Sequence, residues 1–251
     1  MGSKFEAWRS HVDREKIVPA VVVVAAFAVP LAVTAAVKAT VDWQRRKKRR
    51  IGLEEIGIRM GLRYEREPQQ QDEVEWFLFG YIEGPTRNIL RGAAAGPEVV
   101  IFDCDIRGYQ NRSLSRTVAA YRLHPSVPEF ELWRNVGIRR LLGLRAMGFI
   151  EGVHYTNFGS NQDFSDRYVV RGDREDEHAI RAFFNPEMLE YFLSLDRNNN
   201  YRVATGGGWI GFCKWEKMPK PAAVPAFLDE TSAMYSAIKS RMSGSALAEG
   251  V

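Results

Sequence analysis

A run of 21 residues without a charge, 17–37 (IVPAVVVVAAFAVPLAVTAAV), constrains this chain more than any other feature. At a rise of about 1.5 Å per residue a helix of that length covers about 31 Å, the thickness of a bilayer's hydrocarbon core, so the run predicts a single transmembrane helix over 17–38. A cleaved signal peptide competes, because Val33-Thr34-Ala35 has the small residues of a cleavage site. The polar leader, 1–16, is long for that purpose, and the apolar run exceeds a signal-peptide core. The flank decides between them. Arg45, Arg46, Lys47, Lys48, Arg49 and Arg50 follow the run, and basic residues beside a span stay on the cytoplasmic side. The expected placement is therefore a bacterial inner membrane, crossed once, with the N-terminus outside and the C-terminal domain in the cytoplasm. Trp8 and Trp43 bracket the span at depths that suit an aromatic belt. Pro30 is expected to kink the helix, whereas Pro19 falls in its first turn and costs little.

The same basic run explains the composition. The chain has a formal net charge of +4, which raises nucleic acid as a partner. Residues 38–50 alone carry seven basic side chains against Asp42, a net of +6, and 1–37 add +1. That leaves −3 for 51–251, a poor balance for gripping phosphates, so no nucleic-acid partner is expected. Each basic residue of the run is worth about 1 kcal/mol of attraction to anionic lipid headgroups, which makes Arg45 to Arg50 a membrane-surface patch. Ala28, Ala32 and Ala36 recur every four positions and form a smooth stripe that permits close helix–helix contact with other membrane subunits. The two cysteines, Cys104 and Cys213, read as free thiols, since a cytoplasmic domain of this size does not need a disulfide.

Domain boundaries follow: a leader 1–16, the span 17–38, a basic linker 39–50, an α+β domain 51–242, and a polar tail 243–251. In the domain, 51–62 predicts a short helix with Ile51, Ile56, Ile58 and Leu62 as its apolar positions, ended by Gly61, and 65–73 predicts a loop. Strands are expected at 75–83, 87–94, 98–106 and 115–123, punctuated by Gly84-Pro85 and Gly96-Pro97. Short connections of this kind favour an antiparallel meander. A strand at 167–171 precedes a helix at 174–184 capped by Asp173, and Asn185-Pro186 starts another at 187–195. A turn at Asn198-Asn199-Asn200 leads to a hairpin, 201–205 with 209–215, around Gly206-Gly207-Gly208. A closing helix, 224–242, carries Phe227, Met234, Tyr235 and Ile238 and is expected to cover one face of a mostly antiparallel sheet.

The ordered motifs N-I-L-R-G at 88–92, V-V-I-F-D at 99–103, F-E-L at 130–132, F-S-D-R-Y-V-V-R-G at 164–172, A-I-R-A-F-F-N at 179–185 and P-A-F-L-D at 225–229 resemble a family of bacterial proteins of unknown function. Its members are often attached to membranes. The resemblance covers roughly 61–242 and implies no activity.

Residues that could carry chemistry are few. His11, His124, His154 and His178 are scattered, none at metal-ligand spacing, so no metal or cofactor is expected. Asp103 and Asp105 flank Cys104 and point to one side of a strand, as a carboxylate pair for Mg²⁺ or acid–base work would. An outward polar face opposite buried Val100, Phe102 and Cys104 explains the alternation as well. Gly206-Gly207-Gly208 lacks the Lys-Ser/Thr and helix of a phosphate loop, and Ser160 lacks the second Gly of a nucleophile elbow. No catalytic residue is expected. The segment 133–149 combines Arg134, Arg139, Arg140 and Arg145 with apolar residues, as a helix docking on a partner or on headgroups does. A surface helix packed on the sheet is the ordinary alternative.

These features favour a non-catalytic accessory or structural subunit of an inner-membrane complex, respiratory or photosynthetic, docking on partner subunits. The alternative is a tethered sensing or binding module for a lipid, peptide or small ligand.

Overall fold

A computed structural model describes residues 14–67, 86–93, 96–107, 113–124, 126–135, 154–196, 200–214 and 218–248. Of these, the side chains of 14–31, 106, 107, 113 and 243–248 are outside the description. The chain divides into two units, Met1–Arg49 and Arg50–Val251.

One helix, α1 (Arg14–Met60), supplies what is described of the first unit and opens the second. Among the described residues no helix is long and apolar enough to cross a membrane. The described side chains of α1 begin at Ala32, and only six residues, 32–37, precede the charge at Lys38. Asp42 and the basic run then occupy the same helix. That finding overturns the transmembrane part of the expected fold class, the span over 17–38, and with it the single-pass inner-membrane placement with the N-terminus outside.

The α+β part of the expectation holds. In the second unit α1 ends where Gly61, at φ +68°, lets Leu62 N donate to Gly57 O at 2.8 Å and Gly61 N to Ile58 O at 3.3 Å. This is a Schellman closure, which needs the left-handed glycine. Leu53 and Ile56 are buried, three apart on the face that also carries Met60, whereas Ile51 and Ile58, seven apart, are exposed. The expected apolar positions were thus half correct.

Nine strands among the described residues form one antiparallel sheet: β1 (Arg63–Glu65), β2 (Arg87–Gly92), β3 (Val99–Arg107), β4 (Ser113–Arg122), β5 (Phe130–Arg134), β6 (His154–Thr156), β7 (Tyr168–Gly172), β8 (Tyr201–Gly206) and β9 (Trp209–Lys214). Their order is β1-β2-β3-β4-β9-β8-β5-β7-β6, so the first four make a meander and the late β8–β9 hairpin inserts between β4 and β5. Gly207 and Gly208, at φ +56° and +77°, make the two-residue turn of that hairpin. Both angles suit a type I′ turn, which matches the twist of the flanking strands. β1 was not expected and meets the expected loop, 65–73, only at Glu65; the expected strand at 75–83 and the turn at 198–200 fall wholly or mostly outside the described residues.

The helices between and after the strands are α2 (Gln162–Arg167), α3 (Glu177–Phe183), α4 (Pro186–Ser194) and α5 (Val224–Ala248). Asn185 caps α4 by accepting from Met188 N at 2.9 Å, with Pro186 in the first turn. α3 starts later than expected: Asp173 closes a turn, and Asp176 at the N-cap makes no side-chain capping bond. Side chains alternate across the sheet. Val99, Ile101, Ala119, Tyr121, Phe130, Leu132, Val203, Ile210 and Phe212 join the main core with the helices, while Val100, Phe102, Cys104, Val118, Ala120, Ala204, Trp209 and Cys213 form a second buried cluster on the opposite face.

α5 is tied to the sheet by Tyr121, whose ring stacks on Tyr235 at 4.9 Å and whose hydroxyl shares a hydrogen bond with Thr231 at 2.8 Å. Burial pushes the Tyr121 hydroxyl up to about 12. Under the other helices Phe184 meets Phe130, Phe158, Phe164, Phe183 and Phe192 at ring-centroid distances of 4.9–5.8 Å.

Candidate functional site

A run of exposed charge lies on α1. Arg45, Arg46, Lys47 and Lys48 are four consecutive exposed cations, with Arg49 and Arg50 half-buried. The first five belong to the first unit and Arg50 to the second. Trp43 is 60% exposed, and the Lys47 ammonium sits 5.2 Å from its ring centroid, one turn along. Like charges this close repel unless solvated or met by anions, so the segment is built for water or for a negative surface. Ala32 and Ala36 are exposed as well, and the side chain of Ala28 is outside the described residues.

The Asp103/Asp105 pair resolves into two different environments on the helix-covered side of β3. Asp103 is 1% exposed, so this is not an outward polar face. Its Oδ2 accepts from Asn88 Nδ2 at 2.9 Å and its Oδ1 from Thr117 Oγ1 at 2.8 Å, and Tyr64 donates to Asn88 Oδ1 at 2.8 Å. Asn88 takes φ +54° at an irregularity in the β2–β3 register; Asn tolerates that conformation better than most residues. Burial, ahead of the opposed charges of Arg50 and Glu54, pushes the Tyr64 hydroxyl up. Asp105 is half-buried and accepts from Arg87 at 2.9 Å and Ser115 at 2.5 Å. Both carboxylates are committed to stitching β1 through β4 together. Replacing Asp103 with Asn keeps the shape but turns one accepting oxygen into a donor, and is expected to cost about 2 kcal/mol in a urea titration. A loss below about 0.5 kcal/mol would mean that the network contributes no net stability.

A charged cluster that sequence reasoning missed lies on the opposite face. Glu131 on β5 accepts through Oε2 from Arg202 on β8 and Arg171 on β7, each at 2.7 Å, with Glu131 only 7% exposed. Arg171 and Arg202 also lie 5.9 and 5.7 Å from the Trp133 ring centroid. The signal was available: each of F-E-L, Y-V-V-R-G and Y-R-V-A-T embeds one charge in an apolar strand. Neighbouring Cys104 and Cys213 are free and buried. Burial raises the Cys104 thiol well above its usual range and pushes Cys213 up to about 11, with Arg202 and Arg116 pulling the latter down. At both, burial disfavours the thiolate, the nucleophilic form.

Elsewhere, Arg134 ends β5 rather than lying on a helix, which corrects the reading of 133–149; Arg139, Arg140 and Arg145 lie outside the described residues. No group of three or more His, Cys, Asp or Glu side chains is placed to hold a metal among the described residues. His154 faces Glu177 at 2.9 Å, Gly206-Gly207-Gly208 is the hairpin turn, and Ser160 sits exposed before α2. A shallow polar cleft of about 530 Å³ lies between α4 and α5, lined by Glu187, Glu190, Tyr191, Ser194, Ser240 and Arg241.

No protein-family model matches the chain, and no curated protein does. Among solved structures it is similar to the mycobacterial trehalose monomycolate transport factor A, with 14% identity over 66% of this chain and 80% of that one and a TM-score of 0.37.

Proposed function

We propose that this protein is a non-catalytic accessory module that docks through the basic segment of α1 onto an anionic surface. The observation that carries the reading is the row of exposed cations, Arg45 to Lys48, on a continuous helix. Two further features support it. The buried carboxylates Asp103 and Glu131 are spent on holding strands together, and the two thiols are buried with raised pKa values. The net charge of −3 over 51–251 turns the sheet domain away from polyanions, so the helix segment is where they meet the chain.

The test is binding of the full chain to soluble polyglutamate, followed by fluorescence anisotropy at several salt concentrations. Affinity is expected to fall as salt rises, and the double variant Arg45→Gln/Arg46→Gln to bind on the order of tenfold more weakly. Equal binding by the double variant, or none by the parent at low salt, would sink the reading.

A further inference from the structure

We infer that the anionic surface is a lipid surface, entered by one side of α1. This rests on the docking reading above and names its partner. Val33, Val37 and Val41 are 57%, 58% and 38% exposed. Positions four apart lie on one side of a helix, so they form a continuous aliphatic ridge. Trp43, 60% exposed, follows the ridge and lies off its line, separated from the cations by Gln44. Lys38, three residues before Val41, flanks the ridge, and Asp42 lies away from it.

An acidic protein or a nucleic acid matches the cations but leaves the valine ridge and most of the Trp43 ring in water. A second copy of α1 matches the ridge but, aligned in parallel, sets two basic runs side by side, with Asp42 the only acid of 38–50 to relieve them. An anionic lipid surface answers both: headgroups meet Arg45 to Lys48, the valines enter the headgroup–acyl boundary, and the indole, about a third of a turn round the helix from Val37, lies at headgroup level, where Trp is favoured. Lys47, lying over the Trp43 ring, keeps its ammonium at headgroup level while its stem covers apolar surface.

The experiment uses the full chain with an environment-sensitive dye on a single introduced cysteine, the native thiols being buried in the folded domain. One variant is Val37→Cys, on the ridge, and the other Ala35→Cys, on the opposite side. Each is mixed with vesicles of equal parts phosphatidylglycerol and phosphatidylcholine, with co-sedimentation measured alongside. The expected result is co-sedimentation, a blue shift for the dye at 37, little shift at 35, and roughly tenfold weaker partition for Trp43→Ala, from the loss of buried indole surface. Polyglutamate binding without vesicle binding would overturn the lipid assignment and leave the docking reading standing. Vesicle binding with no shift at 37, or with equal shifts at 35 and 37, would overturn entry by one side. Failure to bind either probe would remove the docking reading itself.

Discussion

Replacing Phe184 with Ala is expected to lower the unfolding free energy by about 4 kcal/mol. The ring is 2% exposed and contacts five other phenylalanines drawn from β5, the approach to α2, α2 itself, α3 and α4. Removing it loses the transfer free energy of the ring and leaves a void whose walls are themselves rigid aromatics, which collapse poorly. Edge-to-face contacts add to the loss. Urea unfolding of the full chain should show the midpoint fall with little change in slope. A loss under about 1.5 kcal/mol would show that the cluster repacks freely. Phe184→Leu serves as the control, filling part of the space and recovering a part of the stability.

The second large effect concerns Glu131. Glu131→Ala is expected to destabilise the domain by about 3 kcal/mol, because it leaves the guanidinium groups of Arg171 and Arg202 in a low-dielectric setting without the carboxylate that both engage. Glu131→Gln keeps the volume and one acceptor and should lose less. One asymmetry sharpens the comparison: Oε2 takes both arginines, while Oε1 is buried and makes no hydrogen bond among the described residues. The pair of variants, measured by urea unfolding, separates lost charge from lost packing. Equal stability of Glu131→Ala and the parent would show that the arginines relax to other partners at no net cost.

Local signals in the sequence carried much of the fold. The alternation in 99–105, the Asn185-Pro186 start of α4, the glycine turn at 206–208 and the apolar face of α5 each depend on residues a few positions apart. The structure shows all of them. What could not be read there depends on pairing between distant strands. The insertion of β8–β9 beside β4 follows from which apolar edges meet in space, not from any local pattern. Asp103 looked like an outward residue because alternation specifies a side of the strand without specifying what covers it. Glu131, Arg171 and Arg202 become a cluster only once β5, β7 and β8 are in register. The basic run of α1 was legible as a surface. The membrane span inferred from the uncharged stretch before it was not upheld, since length and lack of charge describe a segment without showing what surrounds it.

The central position of the late hairpin has a consequence for how the chain emerges from a ribosome. β1 to β4 can zip as each is synthesised, but the free edge of β4 has to wait until Trp209 pairs with Arg122 and Cys213 with Val118. β5 waits too, since Leu132 pairs with Val203. During that interval a nascent chain presents two unpaired strand edges, the kind of template on which chains aggregate or swap segments. The sheet is complete only once β8 and β9 have emerged, and truncation between Arg122 and Trp209 leaves β4 with an unpaired edge.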